Sequence, residues 1–439
     1  MRGLADSITG FLDADERGKD REGRVLARRR VRRLGVEFFA TQDTRRVECV
    51  RRLITTAVGT WGVEELEVAV KPAPWRRRKV PYFFHAPQGL RGDGDARPPS
   101  RRLTKLTLRN CPPAASLRLL GALTTLVLHD LPESTQAFVY DRLFTSGFLH
   151  LKKLHLKNCH CMGLALVVDA PPSSTVTELV VDRCSFLYID LRNATSLEDL
   201  ACIDNEKPLL ILFKNVPCLR RVHLSFSANS GAYVADAQYP LLPYRYNLDW
   251  LLHSDRISSL VARFTGPERW VLPAQVSTRL RNLRRLLIAD VPSTWDISWP
   301  RLLLQAAPSL ETLHVHIAQA RRPAEEEHAA ADQPPGRREI IWPPATFRHR
   351  KLGELVVAGF GRTLGQVRFV RYVVKACKAL RRVELLRHGE VRYDGLWEWE
   401  VARQQGGERH WSKQVELVIK KQILCGRNWF REDVEVVLG

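Results

Sequence analysis

The stretch LKKLHLKNC, from Leu151 to Cys159, decides the fold of this chain. Apolar residues stand at its first, fourth and sixth positions, and a cysteine stands at its ninth. The alternation around Leu154 and Leu156 is typical of a short strand with one buried face. The Asn-Cys ending is typical of a turn that buries a polar side chain. A single copy could arise by chance in a leucine-rich chain, so its recurrence is the decisive observation.

The pattern recurs along most of the sequence. Two further copies keep the final cysteine, LTKLTLRNC at Leu103–Cys111 and VTELVVDRC at Val176–Cys184. Copies that keep only the apolar spacing begin at Val63, Leu123, Leu197, Leu219, Ile257, Leu283, Leu310, Leu352 and Leu380. Most successive starts from Leu103 onward are separated by roughly 20–29 residues, the period of leucine-rich repeats, and longer steps indicate inserted loops. The sequence therefore predicts an α/β leucine-rich-repeat solenoid, a curved parallel sheet with helices and loops on its convex side.

Composition places the chain among globular proteins. It has 439 residues, of which 45% are hydrophobic and 26% are charged. The net charge of +20 favours anionic partners, although the basic residues are spread along the chain and are mostly arginine. Three of the nine cysteines, Cys111, Cys159 and Cys184, occupy the repeat's turn position, which fits a reducing compartment. No signal-peptide core or bilayer-length apolar run is evident, so we expect a cytoplasmic or nuclear protein without membrane association.

Four regions are predicted from the positions of the repeats. Residues 1–60 form a charged N-terminal segment and a capping helix, and residues 61–319 form the solenoid, with a loop at 71–100. Residues 320–350 are charged and Pro-rich and are expected to be disordered. Residues 351–439 form C-terminal repeats and a cap.

The C-terminal region contains one helix that the spacing predicts directly. Val367, Val370, Val374 and Cys377 lie on one helical face, which is expected to bury against the following strand. The aromatic stretch GLWEWE (Gly395–Glu400) and the tail after it are expected to cap the open end of the array.

No enzyme signature or cofactor site is predicted. Cys159-His160-Cys161 has metal-ligand residue types but lacks ligand spacing and a second pair, so no metal site is expected. The histidines His155, His223 and His314 recur at the middle position of their strands without a nucleophile beside them.

The alternation within each strand predicts a binding surface instead. If the leucines point into the core, the residues between them face outward on the concave side of the sheet. This predicted partner-binding set is mostly basic and suggests an acidic protein partner. It comprises Lys105, Thr107, Arg109, Lys153, His155, Lys157, Arg221, His223, Ser225, Arg285, His314 and His316.

Nucleic-acid binding is the alternative. ARRRVRR (Ala27–Arg33) and WRRRK (Trp75–Lys79) could act as phosphate-binding arms, and the first could also be a nuclear-localisation signal. Both also fit solvated basic segments. Aromatic interleaving is sparse and no nucleic-acid-binding fold is indicated, so protein binding is favoured.

A family resemblance covers nearly all of the chain from Asp6 to Gln422, and two stretches carry it. LHDLPESTQAFVYDRLF (Leu128–Phe144), within the array, resembles the leucine-rich-repeat region of plant F-box proteins, the grass members above all. The segment from Leu352 to Val391, followed by Trp397 and Trp399, resembles their C-terminal FBD-like domain. The resemblance implies the substrate-receptor part of a ubiquitin ligase. The usual Leu-Pro start and Arg-Trp end of an F-box are not found ahead of the repeats, so docking on the ligase adaptor is expected only if an F-box lies upstream.

Overall fold

A computed structural model describes residues 31–39, 44–71, 84, 102–114, 120–131, 135, 137–145, 150–161, 165–205, 210–227, 256–265, 280–293, 297, 299–318, 347–403, 411–426 and 429–439. The chain divides into two compact units. The first comprises Met1–Leu197 and Lys214–Val216, and the second comprises Glu198–Phe213 and Pro217–Gly439. The division falls inside the region 61–319 predicted as one solenoid, and the predicted domain boundaries stay predictions.

The first unit is built on a parallel sheet. Six strands lie in the order β1 (Arg33–Phe39), β2 (Glu65–Lys71), β3 (Lys105–Arg109), β4 (Thr125–His129), β5 (Lys153–Lys157) and β7 (Glu178–Asp182). The strands β3, β4, β5 and β7 each fall within a predicted repeat copy, whereas β1 precedes the first copy. A separate parallel pair consists of β6 (Ala165–Asp169) and β8 (Tyr188–Asn193).

The leucines of the repeats form the core on one side of this sheet. Leu106, Leu126, Leu154 and Leu179 lie side by side in neighbouring strands and are fully buried. Complete burial of a leucine side chain contributes about 1.5–3 kcal/mol, so this row is a main source of stability. The alternate residues point to the other side of the sheet, hereafter the strand face.

The turns after the strands explain the recurring cysteines. Asn110, Asn158 and Arg183 adopt left-handed backbone conformations with φ near 50°, and the cysteine after each of them is fully buried. Asn tolerates this conformation better than most residues, which accounts for the Asn-Cys ending of two copies. The predicted turn position of these cysteines is confirmed.

Two helices accompany the strands of the first unit. The predicted capping helix is α1 (Thr44–Gly59), in which Val50, Ile54 and Ala57 are buried and Val47 is half-buried. The second is α2 (Ala137–Thr145), in which Leu143 is buried.

The second unit is built on eight parallel strands. Their order is β9 (Asp199–Asn205), β11 (Arg221–Ser227), β12 (Ser259–Thr265), β13 (Arg285–Pro292), β14 (Thr312–Ala318), β15 (Glu354–Ala358), β16 (Arg382–Leu386) and β21 (Glu435–Leu438). The short strands are β10 (Leu210–Phe213), β19 (Cys425–Gly426) and β20 (Trp429–Phe430), and the helices are α3 (Pro300–Ala306), α4 (Leu364–Ala376) and α5 (Lys413–Leu424).

The helix α4 confirms the helical spacing in the C-terminal region. Val367, Val370 and Val374 are buried, and so is Cys377 just after the helix. Thr363 caps its N-terminus in a reciprocal capping box with Gln366, which satisfies two backbone N–H groups.

The stretch GLWEWE lies away from the end of the sheet, so this part of the cap prediction is wrong, whereas the tail after it supplies the last strand. GLWEWE forms the turn and second strand of an antiparallel hairpin, β17 (Gly389–Asp394) and β18 (Glu398–Arg403), and Gly395 in the turn has a φ of 70°. The hairpin lies over the strand face of the second unit. The last strand of the sheet is β21, which pairs with β16.

Several predictions concern stretches outside the described residues. They are the loop at 71–100 except residues 71 and 84, the insertion at 320–350 except its last four residues, the WRRRK arm, and all but the last three residues of ARRRVRR. Residue 71 is the last residue of β2 and not part of a loop.

Candidate functional site

Half of the predicted binding residues lie together on the strand face of the first unit. Three of them lie on β3 and three on β5, at equivalent positions along the two strands. One residue of the intervening strand β4 separates each residue of β3 from its counterpart on β5. Adjacent strands are about 4.8 Å apart, so the two sets are separated by about 10 Å. Lys105, Arg109 and Lys153 have side-chain exposures of 46%, 47% and 50%. The six residues are Lys105, Thr107, Arg109, Lys153, His155 and Lys157.

This face is less basic than the sequence suggested, because carboxylates share it. Glu65 on β2 occupies the register position of Lys105 and lies 3.9 Å from its ammonium group. Asp182 on β7 stands beside Lys157. The expectation of a mostly basic surface is therefore wrong for this unit, and the face carries interleaved charges of both signs.

Glu178 is the most strongly held of these carboxylates. Its Oε1 lies 2.6 Å from Nε2 of His155, and its Oε2 accepts a hydrogen bond from Nζ of Lys153 at 3.0 Å. Burial alone would raise the pKa of Glu178, but the two hydrogen bonds lower it to about 2. Two predicted contact residues are thus fixed in place by an acid that the prediction omitted. Glu178 occupies the position of Lys105 and Lys153 in its own repeat copy, so aligning the copies could have found it.

The other predicted residues lie on the strand face of the second unit, beneath the hairpin β17–β18. They come from β11, β13 and β14: Arg221, His223, Ser225, Arg285, His314 and His316. His223 and Ser225 are buried, so the prediction that they are exposed contact residues is wrong. For His223 the cause is a tertiary contact with a segment more than 160 residues away in sequence.

Apolar side chains hold the middle of the hairpin. Val261, Leu287 and Ala289 are buried although they lie on the strand face, and Trp399 of β18 packs against them. Val391 of β17 packs against the same cluster. Removing this apolar area from water is the main driving force for seating the hairpin.

Trp399 also makes a hydrogen bond through its indole N–H and a cation–π contact through its ring. Its Nε1–H donates to Nδ1 of His314 at 3.1 Å, which requires His314 to be neutral with its proton on Nε2. The Arg285 guanidinium lies 4.4 Å from the centroid of the Trp399 ring, and its Nη1 donates to Oε2 of Glu398 at 2.7 Å. Burial lowers the pKa of His314 to about 4, and the nearby Arg285 charge acts in the same direction.

The tip of the hairpin is held by His223 and Arg221. The Nδ1–H of His223 donates to the carbonyl oxygen of Leu396 at 3.0 Å, and its ring stacks on Tyr393 at 5.8 Å between centroids. The Arg221 guanidinium lies 5.3 Å from the centroid of Trp397. Burial lowers the pKa of His223, while the hydrogen bond to Leu396 opposes this effect.

A charged cluster lies beside Tyr393. Arg263 Nε donates to Asp290, and Nδ1 of His316 lies 2.9 Å from Oδ1 of Asp290. Burial alone would raise the pKa of Asp290, but the contacts with His316 and Arg263 lower it. Ser225 Oγ donates to Oδ1 of Asp204 at 2.6 Å. These groups neutralise one another locally.

The Cys159-His160-Cys161 stretch belongs to a buried thiol cluster. Cys161 Sγ donates to the Tyr140 hydroxyl at 3.0 Å, and the backbone N–H of Cys159 contacts Sγ of Cys184 at 3.4 Å. Burial raises the pKa of the Cys184 thiol well above its ordinary value. Within the part of the chain that the structure describes, no three His, Cys, Asp or Glu side chains are placed to hold a metal ion.

Comparison of the sequence with models of known protein families finds no match, and comparison with curated protein sequences finds none. Among the described residues, no helix has the length and apolar character needed to cross a membrane.

Proposed function

We propose that this chain is a non-catalytic protein-interaction module, a leucine-rich-repeat solenoid that binds a protein partner through the strand face of its first unit. The observation that carries the proposal is the division of roles within single strands. In β3 and β5 the leucines are fully buried, whereas Lys105, Arg109 and Lys153, which flank them, are about half exposed. A hydrogen-bonded sheet holds these side chains at fixed spacings, which lowers the ordering cost of binding.

The charges of this face favour a partner that carries acidic groups at matched spacings. The ammonium group of Lys105 lies 3.9 Å from the Glu65 carboxylate, and the guanidinium of Arg109 lies 3.7 Å from the Asp130 carboxylate. Both distances are near the limit for an ion pair. Exposed ion pairs of this kind contribute at most about 1 kcal/mol to stability. The carboxylates of an acidic partner can therefore replace Glu65 and Asp130 as the ion-pair partners of Lys105 and Arg109. The interleaved Glu65 and Asp182 would repel a partner that is uniformly acidic, which makes the face selective for spacing.

The resemblance to plant F-box proteins supports a more specific role. In this proposal the chain is the substrate-recognition part of a ubiquitin ligase of the cytoplasm or nucleus. Its connection to the ligase adaptor then depends on an F-box placed ahead of these residues.

The proposal is tested by reversing charges on the strand face. Lys105→Glu combined with Lys153→Glu is expected to reduce recovery of bound proteins at least tenfold in affinity purification followed by quantitative mass spectrometry. The matched control is Arg102→Glu with Arg142→Glu, because both residues are exposed and lie outside the strands. Equal recovery with both variants would exclude this face.

A nuclease arm of the same experiment addresses the nucleic-acid alternative. Protein partners should remain bound after nuclease treatment and at physiological salt. Loss of all partners under these conditions would favour sequence-independent binding to nucleic acid, which is salt-sensitive.

A further inference from the structure

The hairpin β17–β18 packs on the strand face of the second unit but takes no part in the pairing of the eight parallel strands that the structure describes there. In the described residues the two strands of the hairpin pair only with each other. An isolated two-stranded hairpin is marginally stable in water, so its contacts with the strand face keep it in place. It can leave that face without breaking any strand pairing of the sheet.

The hairpin crosses the strands beneath it. At its base, Gly389 approaches β15 so closely that a Cβ atom would lie 2.6 Å from Cβ of Ala358. At its tip, Leu396 contacts His223 of β11. From β11 to β15 there are four strand intervals, which together span about 19 Å. A six-residue strand such as β17 can bridge this distance at about 3.3 Å per residue. The covered area therefore extends over five strands, the length of a peptide-binding groove.

The contacts of the hairpin define the chemistry that this surface recognises. The indole ring of Trp399 packs against apolar side chains and lies below the Arg285 guanidinium. The same guanidinium binds the carboxylate of Glu398, the residue before Trp399. A second aromatic ring, Trp397, lies under Arg221. The surface thus accepts an aromatic residue adjacent to an acidic one, with arginines contributing both ion pairing and cation–π contacts.

The hairpin leaves two buried nitrogen atoms of this surface without a hydrogen bond among the described residues. They are Nε2 of His314 and Nε2 of His223. Because Nδ1 of His314 accepts from Trp399, its Nε2 must carry the proton and is an unused donor. A buried donor without a partner costs about 1–3 kcal/mol. A ligand with a carboxylate at this point would gain a hydrogen bond that the hairpin lacks.

We propose that the strand face of the second unit is a recognition site for an acidic peptide segment containing an aromatic residue next to a carboxylate, and that the hairpin β17–β18 occupies this site in the absence of the ligand. The site uses residues of β11 to β14 and does not depend on the binding face proposed for the first unit.

The test uses the full chain and a fluorescein-labelled peptide of sequence YDGLWEWE, the segment from Tyr393 to Glu400. The variant Trp399→Ala with Glu398→Lys weakens seating of the hairpin and leaves the sheet residues unchanged. Fluorescence anisotropy should show at least tenfold tighter peptide binding to this variant than to the wild type. Adding Arg285→Glu to the variant should abolish that gain, and a control peptide with Trp→Ala and Glu→Lys changes should not bind.

A second arm guards against misfolding of the variant. Excess YDGLWEWE peptide added to wild-type chain should increase amide hydrogen exchange in residues 389–403, because the displaced hairpin loses its contacts. The proposal is overturned if the peptide neither binds the opened variant more tightly nor raises exchange in the wild type. It is also overturned if the control peptide or a mixed-sequence RNA oligonucleotide binds the opened variant as well as the YDGLWEWE peptide does.

Discussion

Seating of the hairpin on the second unit should weaken in acid because it requires His314 to be neutral. Trp399 donates its indole N–H to Nδ1 of His314, so protonation of that nitrogen would place two hydrogens against each other. The Arg285 guanidinium beside the ring opposes a further positive charge, and the Glu398 carboxylate is already bound by Arg285. The neutral form of His314 is therefore the one compatible with a seated hairpin.

The direction and size of the effect follow from the pKa of His314. Its pKa is about 4 with the hairpin in place, against an ordinary value of 6.5. Above pH 6.5 the ring is neutral in both states and the hairpin has its full stability. As pH falls from 6.5 toward 4, only the state with a released or unfolded hairpin takes up the proton, so seating is weakened. Linkage gives a loss of about 2.5 kcal/mol between pH 7.5 and 4.5, an upper limit because the ring is partly exposed.

The assay is the free energy of local opening, measured by hydrogen exchange of residues 389–403 and corrected for the intrinsic pH dependence of exchange. The matched variant is His314→Asn, whose side-chain oxygen can accept the Trp399 hydrogen bond but does not titrate. Wild type should lose about 1–2.5 kcal/mol more than this variant between pH 7.5 and 4.5. The titration of His223 is common to both chains and cancels in the difference. An equal pH dependence in the two chains would refute the role of His314.

Two further predictions concern the second unit's turns and the buried thiols. Gly359→Ala should destabilise the second unit by about 1–3 kcal/mol in urea unfolding, because Gly359 has a φ of 75° and a Cβ atom would lie 2.1 Å from the Ile317 carbonyl oxygen. Gly365→Ala, in open space on α4, should instead be neutral or stabilising by up to about 1 kcal/mol, and equal losses in both would contradict this. Iodoacetamide at pH 7.5 should label the exposed Cys218 within minutes and leave Cys111 and Cys202 unlabelled, since burial raises the pKa of each of these two thiols to about 12. Mass spectrometry of native and urea-unfolded chain checks this, and rapid native labelling of either buried thiol would contradict their placement.

The strands could be predicted from the sequence because their signal is local. In LKKLHLKNC the alternation around Leu154 and Leu156 fixes which side chains face the core, and β5 lies within that stretch. The same holds for α4, where the spacing of Val367, Val370 and Val374 is contained in two turns. Local periodicity specifies an element and its buried side without reference to the rest of the chain.

The site was predicted less well because it depends on contacts between distant residues. The contact between Trp399 and His314 joins residues 85 positions apart, and no periodicity connects GLWEWE with the middle of the array. The burial of His223 follows from the same hairpin and could not be anticipated from its own strand. The charge of the first unit's face was misjudged for a different reason. The predicted set contains only basic and polar positions, whereas the equivalent position of another copy holds the acidic Glu178.

Photocrosslinking from the strand face of the first unit tests the central claim most directly. A benzoylphenylalanine placed at position 107, between Lys105 and Arg109, should form a covalent adduct with a protein partner on irradiation. The same residue placed at position 142, on the exposed side of α2, should not form that adduct. We expect an adduct specific to position 107 that disappears when Lys105→Glu and Lys153→Glu are introduced. An adduct of equal yield from both positions, or one unaffected by the charge reversals, would contradict it.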